Sequence, residues 1–162
     1  MDILLIEDDE LDAFHTKRMV AKVVENVTIV RARTGDEAID LAMSRRKPFD
    51  FVLLDHFLVN ECGVNLVRPL RGAWATEHCP IVMLTGAHLD AVRTSALVNE
   101  LSAFLTKPIS TQRVTEILVE RKLYWRIEDF PLNLDNYRKA IADSDSFLGA
   151  ATLKRQIQNE VP

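Results

Sequence analysis

The sequence predicts an α/β protein built on a doubly wound, five-stranded parallel sheet with helices on both faces. Three observations predict it. Short apolar runs recur at residues 3–6, 27–32, 51–54, 81–84 and 103–105. They are mostly continuous, as in strands buried on both faces of a parallel sheet, and do not alternate as half-exposed strands do. Between them lie segments long enough for crossover helices, and right-handed crossovers make such a series a doubly wound sheet.

The elements follow in order. The first strand runs into Glu7, Asp8 and Asp9, and Leu11, Phe14, Arg18 and residues 20–24 suit a first helix. After the second strand, Thr34 is the expected N-cap of a helix carrying Ala38, Ile39, Leu41 and Ala42, with Asp36 and Glu37 in its first turn. The third strand ends at Asp55, and Leu66, Val67 and Leu70 suit a third helix. Pro69 should distort that helix unless it lies near its start. The fourth strand leads to Thr85, Gly86 and Ala87, and Ala91, Val92, Ala96 and Leu97 suit a fourth helix. The fifth strand leads to Thr106, Lys107 and Pro108, and Val114, Ile117, Leu118 and Leu123 suit a fifth helix starting near Ser110.

Past Pro131 the pattern changes. Leu134, Tyr137 and Ile141 fall on one helical face, and Phe147, Ala150, Leu153 and Ile157 on another, with Asp145 or Ser146 as a start signal. Gly149 weakens the latter by about 1 kcal/mol relative to alanine. The chain thus divides into a domain at 1–128 and a helical C-terminal extension at 129–162 without an independent output domain.

Composition bounds the function. The 162 residues are 48% hydrophobic and 27% charged, enough for one domain with a real core. A net charge of −4 argues against a general nucleic-acid binder, which carries a basic face. Cys62 and Cys79 form no CxxC pair and read as reduced thiols. The N-terminal apolar run is too short for a signal peptide and no run reaches the length of a membrane span. The expectation is a soluble, cytoplasmic protein with no direct nucleic-acid or membrane partner.

In doubly wound sheets the ligand crevice lies at the carboxyl ends of the strands. Glu7, Asp8, Asp9, Asp55, Thr85 and Lys107 all follow strands and so share that edge. Carboxylates gathered there repel one another, and a hard divalent cation such as Mg²⁺ relieves the repulsion. Asp55 is then a carboxylate nucleophile for a phosphoryl group. Lys107 supplies positive charge to the phosphoryl oxygens and Thr85 a hydroxyl donor.

With these residues the chain resembles the receiver domain of two-component response regulators over about residues 1–128. The matching stretches are LLIEDDE, LLDHFLVNECG, IVMLTG and AFLTKP. Asp55 and Thr85 are 30 residues apart, Thr85 and Lys107 are 22 apart, and Gly63 stands eight after Asp55. The resemblance implies a flavodoxin-like sheet of order 2-1-3-4-5 and a phosphoacceptor at Asp55. It implies Mg²⁺ held by Asp8 directly, Glu7 through water, Asp55, and the backbone carbonyl of Phe57. Thr85 and Phe104 become the switch pair, Lys107 the phosphoryl contact, and the Lys107–Pro108 peptide is expected to be cis. The implied function is a stand-alone response regulator, not an enzyme, taking phosphoryl from a sensor histidine kinase or phosphotransfer protein.

Some features depart from or extend that pattern. The run His56-Phe57-Leu58-Val59-Asn60 lacks the usual proline, which implies a less rigid loop. Phe57 is bulky where water reaches the phosphoryl group, which implies slow autodephosphorylation. The acidic run leaves the register open by one residue, and the length of the first strand favours Glu7 and Asp8 over Asp9. The four histidines and both tryptophans read as surface, structural or packing residues, with tuning of the adjacent Asp55 as the alternative for His56. The opening EDDELDAFHTKR and the stretch from Leu123 to Pro131 are similar to single-domain receivers served by phytochrome-type kinases. That likeness implies a homodimer through the fourth helix, fifth strand and fifth helix, or through the extension. The extension has three alternatives: covering its own domain, swapping across a dimer, or binding a partner. Two rival functions stay open: an interaction module that works without phosphorylation, and an Mg²⁺-dependent phosphatase. The latter needs an acid/base carboxylate two residues after the nucleophile, where Phe57 stands.

Overall fold

The computed structural model describes residues 1–86 and 101–125. Its strands are β1 (Asp2–Ile6), β2 (Thr28–Ala32), β3 (Phe51–Asp55), a hairpin of β4 (Phe57–Leu58) and β5 (Glu61–Cys62), then β6 (Ile81–Thr85) and β7 (Ala103–Thr106). The helices are α1 (Glu10–Val23), α2 (Gly35–Ser44), α3 (Val67–Gly72) and α4 (Thr111–Trp125). The main sheet is parallel, in the order β2-β1-β3-β6-β7. With the hairpin set aside, this is the expected 2-1-3-4-5.

Two cores explain the continuous apolar runs. Leu4, Ile6, Val52, Leu54, Ile81 and Met83 point to one face, with Ala38 and Ala42 of α2 and Val67 and Leu70 of α3. Ile3, Leu5, Phe51, Leu53, Val82, Leu84 and Leu105 point to the other, with Val20 and Val23 of α1 and Val114, Ile117 and Leu118 of α4. Side chains alternate along a strand, so two-sided burial requires apolar residues at both parities. Each such side chain contributes about 1.5–3 kcal/mol when fully buried.

Some local expectations are corrected. Leu11 and Phe14 are in α1 but stand 78% and 64% exposed. The stripe that meets the sheet is Ala13, Thr16, Val20 and Val23, whose spacing keeps them on one side of the helix. Trp74 does not pack in a core. It is partly exposed, and its indole Nε1 donates to the Arg45 carbonyl at 2.7 Å.

Thr34 caps α2, accepting from the Glu37 amide at 3.2 Å. A 3₁₀ turn at Gly63–Leu66 precedes α3, which places Pro69 in the first turn of that helix, where a missing N–H costs least. The expected helix at residues 91–97, with the dimer face it would contribute, lies outside the described residues, as do His88 and the extension at 129–162. Among the described residues no helix is long and apolar enough to cross a membrane.

Candidate functional site

The sheet register builds the site. Ile6 pairs with Leu54, so Glu7 and Asp55 leave adjacent strands at the same level. Asp55 pairs with Leu84, and Thr85 with Thr106, which brings Lys107 to the same rim. Carboxylate oxygens of Glu7, Asp8 and Asp55 all lie within 4.8 Å of one another. Glu7 is 0% exposed, Asp55 is buried and Asp8 half-buried. The Lys107 Nζ enters this group, 2.6 Å from Glu7 Oε2, 2.9 Å from Asp55 Oδ2 and 2.8 Å from Asp12 Oδ2. The Lys107 amide donates to the Thr85 carbonyl at 2.7 Å, and the Lys107–Pro108 peptide is cis.

The electrostatics follow from burial and crowding. Burial, helped by the neighbouring charge of Asp55, pushes Glu7 up to about 7, even though Lys107 pulls the other way. Burial disfavours the charge on Lys107, but hydrogen bonds to Asp12, Glu7 and Asp55 outweigh it and hold its pKa above the ordinary lysine value. Three clustered carboxylates exceed what one ammonium neutralises. The donor set is all hard oxygen, and it fits a hard divalent cation of the Mg²⁺ type. Glu7, Asp8 and Asp55 are the side chains that can hold one.

The surrounding loops hold these groups in place. Asp9 does not join the cluster; it caps α1, accepting from the Asp12 amide at 2.8 Å. The register of the acidic run is therefore Glu7 and Asp8 in the cluster. Arg31 of β2 reaches over the turn, donating through Nε to the Glu7 carbonyl and through Nη2 to the Asp8 carbonyl, both at 2.8 Å.

After Asp55 the chain turns back as the β4–β5 hairpin, with Asn60 in left-handed backbone at φ 68°, which asparagine tolerates better than most residues. The loop expected to be less rigid without proline is thus closed by strand pairing, and the Val59 amide donates to Asp8 Oδ2 at 3.3 Å. The Phe57 amide lies 3.4 Å from Asp55 Oδ1, while its ring is 63% exposed. Gly63 sits directly against the Asp55 carbonyl oxygen, where a Cβ has no room, and its amide donates to the His56 carbonyl at 2.8 Å. Glu61 ties the hairpin to α2 by accepting from the Gly35 amide at 2.6 Å.

His56 is buried, and burial lowers its pKa although Asp55 acts in the opposite direction. Its Nδ1 lies 3.8 Å from Cys62 Sγ. His15 serves a structural contact, with Nε2 at 2.9 Å from the Ile109 carbonyl. Thr85 is buried, and its hydroxyl donates to the Gly86 carbonyl at 3.2 Å. Phe104 is half-buried against the core that contains Met83, its register partner in β6.

Asp12, Arg31 and Glu61 were not singled out in the sequence. A signal existed for Arg31, a cation inside the otherwise apolar strand TIVRA. Asp12 stands in the first turn of α1, three residues after the acid that caps it. Nothing local marks Glu61.

The carboxyl edge of this doubly wound sheet thus gathers an acidic trio, a lysine and a threonine. The chain belongs to the response regulator receiver domain family, which it matches over residues 3–119. Members of this family accept phosphoryl groups and are not enzymes in the usual sense. The phosphate regulon transcriptional regulatory protein PhoB of Rhizobium meliloti is 34% identical over 110 residues, covering 67% of this chain and 46% of that protein. The polar-differentiation response regulator DivK of Brucella anthropi is 25% identical over 116 residues, covering 72% of this chain and 91% of DivK. The chain thus spans less than half of PhoB, and the same holds for ResD of Bacillus subtilis, of which it covers 44%. Among solved structures, the bacteriophytochrome response regulator AtBRR superposes with a TM-score of 0.65 at 28% identity, covering 76% of this chain and 94% of that one. The receiver domain of the Pseudomonas aeruginosa sensor histidine kinase PA1611, crystallised with magnesium in its cleft, has a TM-score of 0.63 at 24% identity, covering 74% and 94% of the two chains. That likeness is one of fold.

Proposed function

We propose that this chain is a stand-alone response regulator that takes a phosphoryl group onto Asp55 from a sensor histidine kinase or a phosphotransfer protein. The observation that carries the reading is the position of Asp55: its carboxylate lies within reach of both the Glu7–Asp8 pair and the Lys107 ammonium. Glu7, Asp8, Asp55 and the Phe57 carbonyl are the groups assigned to Mg²⁺. When bound, the ion offsets negative charge on the phosphoryl oxygens as they pass through the transition state.

The protein's own groups do the rest. A carboxylate oxygen of Asp55 attacks phosphorus, the bond from phosphorus to the donor histidine nitrogen breaks, and the imidazole leaves with the electron pair. Lys107 is held by Glu7 and Asp12 so that its ammonium already faces Asp55, and no reorganisation is needed when charge arrives. The new group adds a charge of about −1.5 to −2. The Thr85 hydroxyl exchanges the Gly86 carbonyl for a phosphoryl oxygen, and Phe104 follows on the same face of the sheet. Partners read that change, and the surface built on β7, α4 and the fourth predicted helix, or the extension at 129–162, is assigned to a homodimer. Exposed Leu11, Phe14, Phe57 and Val59 offer apolar area to a phosphodonor protein. The exposed Phe57 ring beside Asp55 supports slow loss of the phosphoryl group to water. Cys62 and Cys79 are both free thiols, which supports a cytoplasmic setting. The likeness to DivK, covered over 91% of its length, supports the stand-alone reading.

The test is phosphotransfer from a labelled histidine kinase to the wild type and to Asp55→Asn, with light scattering before and after. Label and a change in mass are expected for the wild type alone. Label on Asp55→Asn overturns the assignment of the acceptor.

A further inference from the structure

We propose that Arg31 is a positioning residue for the metal site: its guanidinium sets the backbone turn that aims the Glu7 and Asp8 carboxylates at Asp55. The inference rests on the reading of these three acids as magnesium ligands, and adds to it a residue that touches neither metal nor phosphoryl group.

Arg31 lies in β2, an outer strand of the sheet, and its side chain is only 8% exposed. The chain leaves the β1–β2 ladder as the Glu7 amide donates to the Ala32 carbonyl at 3.0 Å, and it enters α1 after the cap at Asp9. Glu7 and Asp8, on either side of the peptide before that cap, carry two of the cluster's three carboxylates. Arg31 Nε donates to the Glu7 carbonyl and Nη2 to the Asp8 carbonyl, while Nη1 holds Glu10 Oε2 at 2.6 Å. One rigid plane therefore grips two successive carbonyls and the first residue of the helix that follows. Fixing consecutive carbonyls fixes the peptide plane between them, and with it the direction of the Asp8 side chain. A lysine ammonium has no such fork and holds a single point. Mg²⁺ demands near-ideal octahedral geometry, so it is sensitive to small errors in ligand direction.

Charge and position predict opposite signs. A cation beside an acidic cluster repels a divalent ion, so on Coulomb grounds its removal tightens binding. A positioning role predicts that its removal weakens binding. The test is calorimetric titration of magnesium chloride into the full chain as wild type, Arg31→Met, Arg31→Lys and Arg33→Ala. Among the described residues the exposed side chain of Arg33 reaches only Glu10. Both Arg31 variants are expected to weaken magnesium binding by about tenfold or more, as loss of ligand-orienting contacts does elsewhere. Arg33→Ala is expected to bind as the wild type does. With acetyl phosphate as donor, the magnesium needed for half-maximal phosphorylation rises in the Arg31 variants, and saturating magnesium restores the maximal rate. Equal or tighter magnesium binding by Arg31→Met overturns the inference. Should that variant not fold, wild-type affinity in Arg31→Lys overturns it instead. A wild type that takes up no magnesium overturns the metal reading, and this inference falls with it.

Discussion

Glu7, Asp8 and Asp9 are consecutive acids to which the fold gives three different tasks. Glu7 is wholly buried and paired with Lys107, Asp8 brings a half-buried carboxylate to the cluster, and Asp9 caps α1. The division is testable because cap and ligand fail differently. Asp9→Ala is expected to lower unfolding free energy by about 1 kcal/mol, the usual cost of losing a cap, and to leave magnesium binding intact. Asp8→Ala is expected to abolish magnesium binding with little loss of stability; denaturant unfolding and calorimetry on both variants check the pair. Cys79 supplies a second prediction. Its thiol is buried, donates to the Thr76 carbonyl at 3.4 Å, and is pushed by burial from the ordinary 9.0 up to about 12. Between these values the unfolded chain loses a proton that the folded chain keeps, so stability falls as pH rises through that window. Unfolding curves from pH 9 to 12 are expected to show a shallower decline in Cys79→Ala than in the wild type.

Among the elements, the short hairpin after β3 is the one that the sequence describes least well. Its two strands are two residues each, below the length at which alternation is readable. Without proline in this loop, order comes from pairing between β4 and β5, from Asn60 in left-handed backbone, and from the anchor between Glu61 and α2. Gly63 closes the loop by lying on the Asp55 carbonyl. Gly63→Ala places a methyl group against backbone, which cannot rotate away. It is expected to cost about 1–3 kcal/mol, the range for forced overpacking, and to slow phosphorylation by acetyl phosphate because Asp55 shifts with its carbonyl. Equal stability and rate for wild type and variant would show that the contact is easily relieved. The α1 helix teaches a different lesson. Its existence was legible from the acids at its start and its apolar content, but its buried face was not. Leu11 and Phe14 are larger than Ala13 and Thr16, and yet the small residues meet the sheet. Which side of a helix turns inward depends on where its first turn leaves the preceding strand, and that start is not written in the helix's own apolar pattern.

For the whole molecule, the proposed cation site at the acidic cluster would couple binding to stability. A cation that binds the folded cluster and not the unfolded chain stabilises by about 2.7 kcal/mol at a hundredfold excess over its Kd. Thermal unfolding with and without magnesium chloride is expected to show a rise in Tm for the wild type and none for Asp8→Ala. No rise in the wild type would argue against the metal reading. The sequence by itself determined the number and parity of the main sheet's strands, because two-sided burial favours apolar residues at both parities. It also determined the residue types that end each strand, and so the chemistry available at the carboxyl edge. Only the tertiary structure decided which of those groups meet. Glu7 and Lys107 pair across a separation of 100 residues, and Arg31 reaches Glu7 from 24 residues away. Such contacts follow from strand order and register, which are set by the packing of the whole sheet and leave no periodic trace in the local sequence.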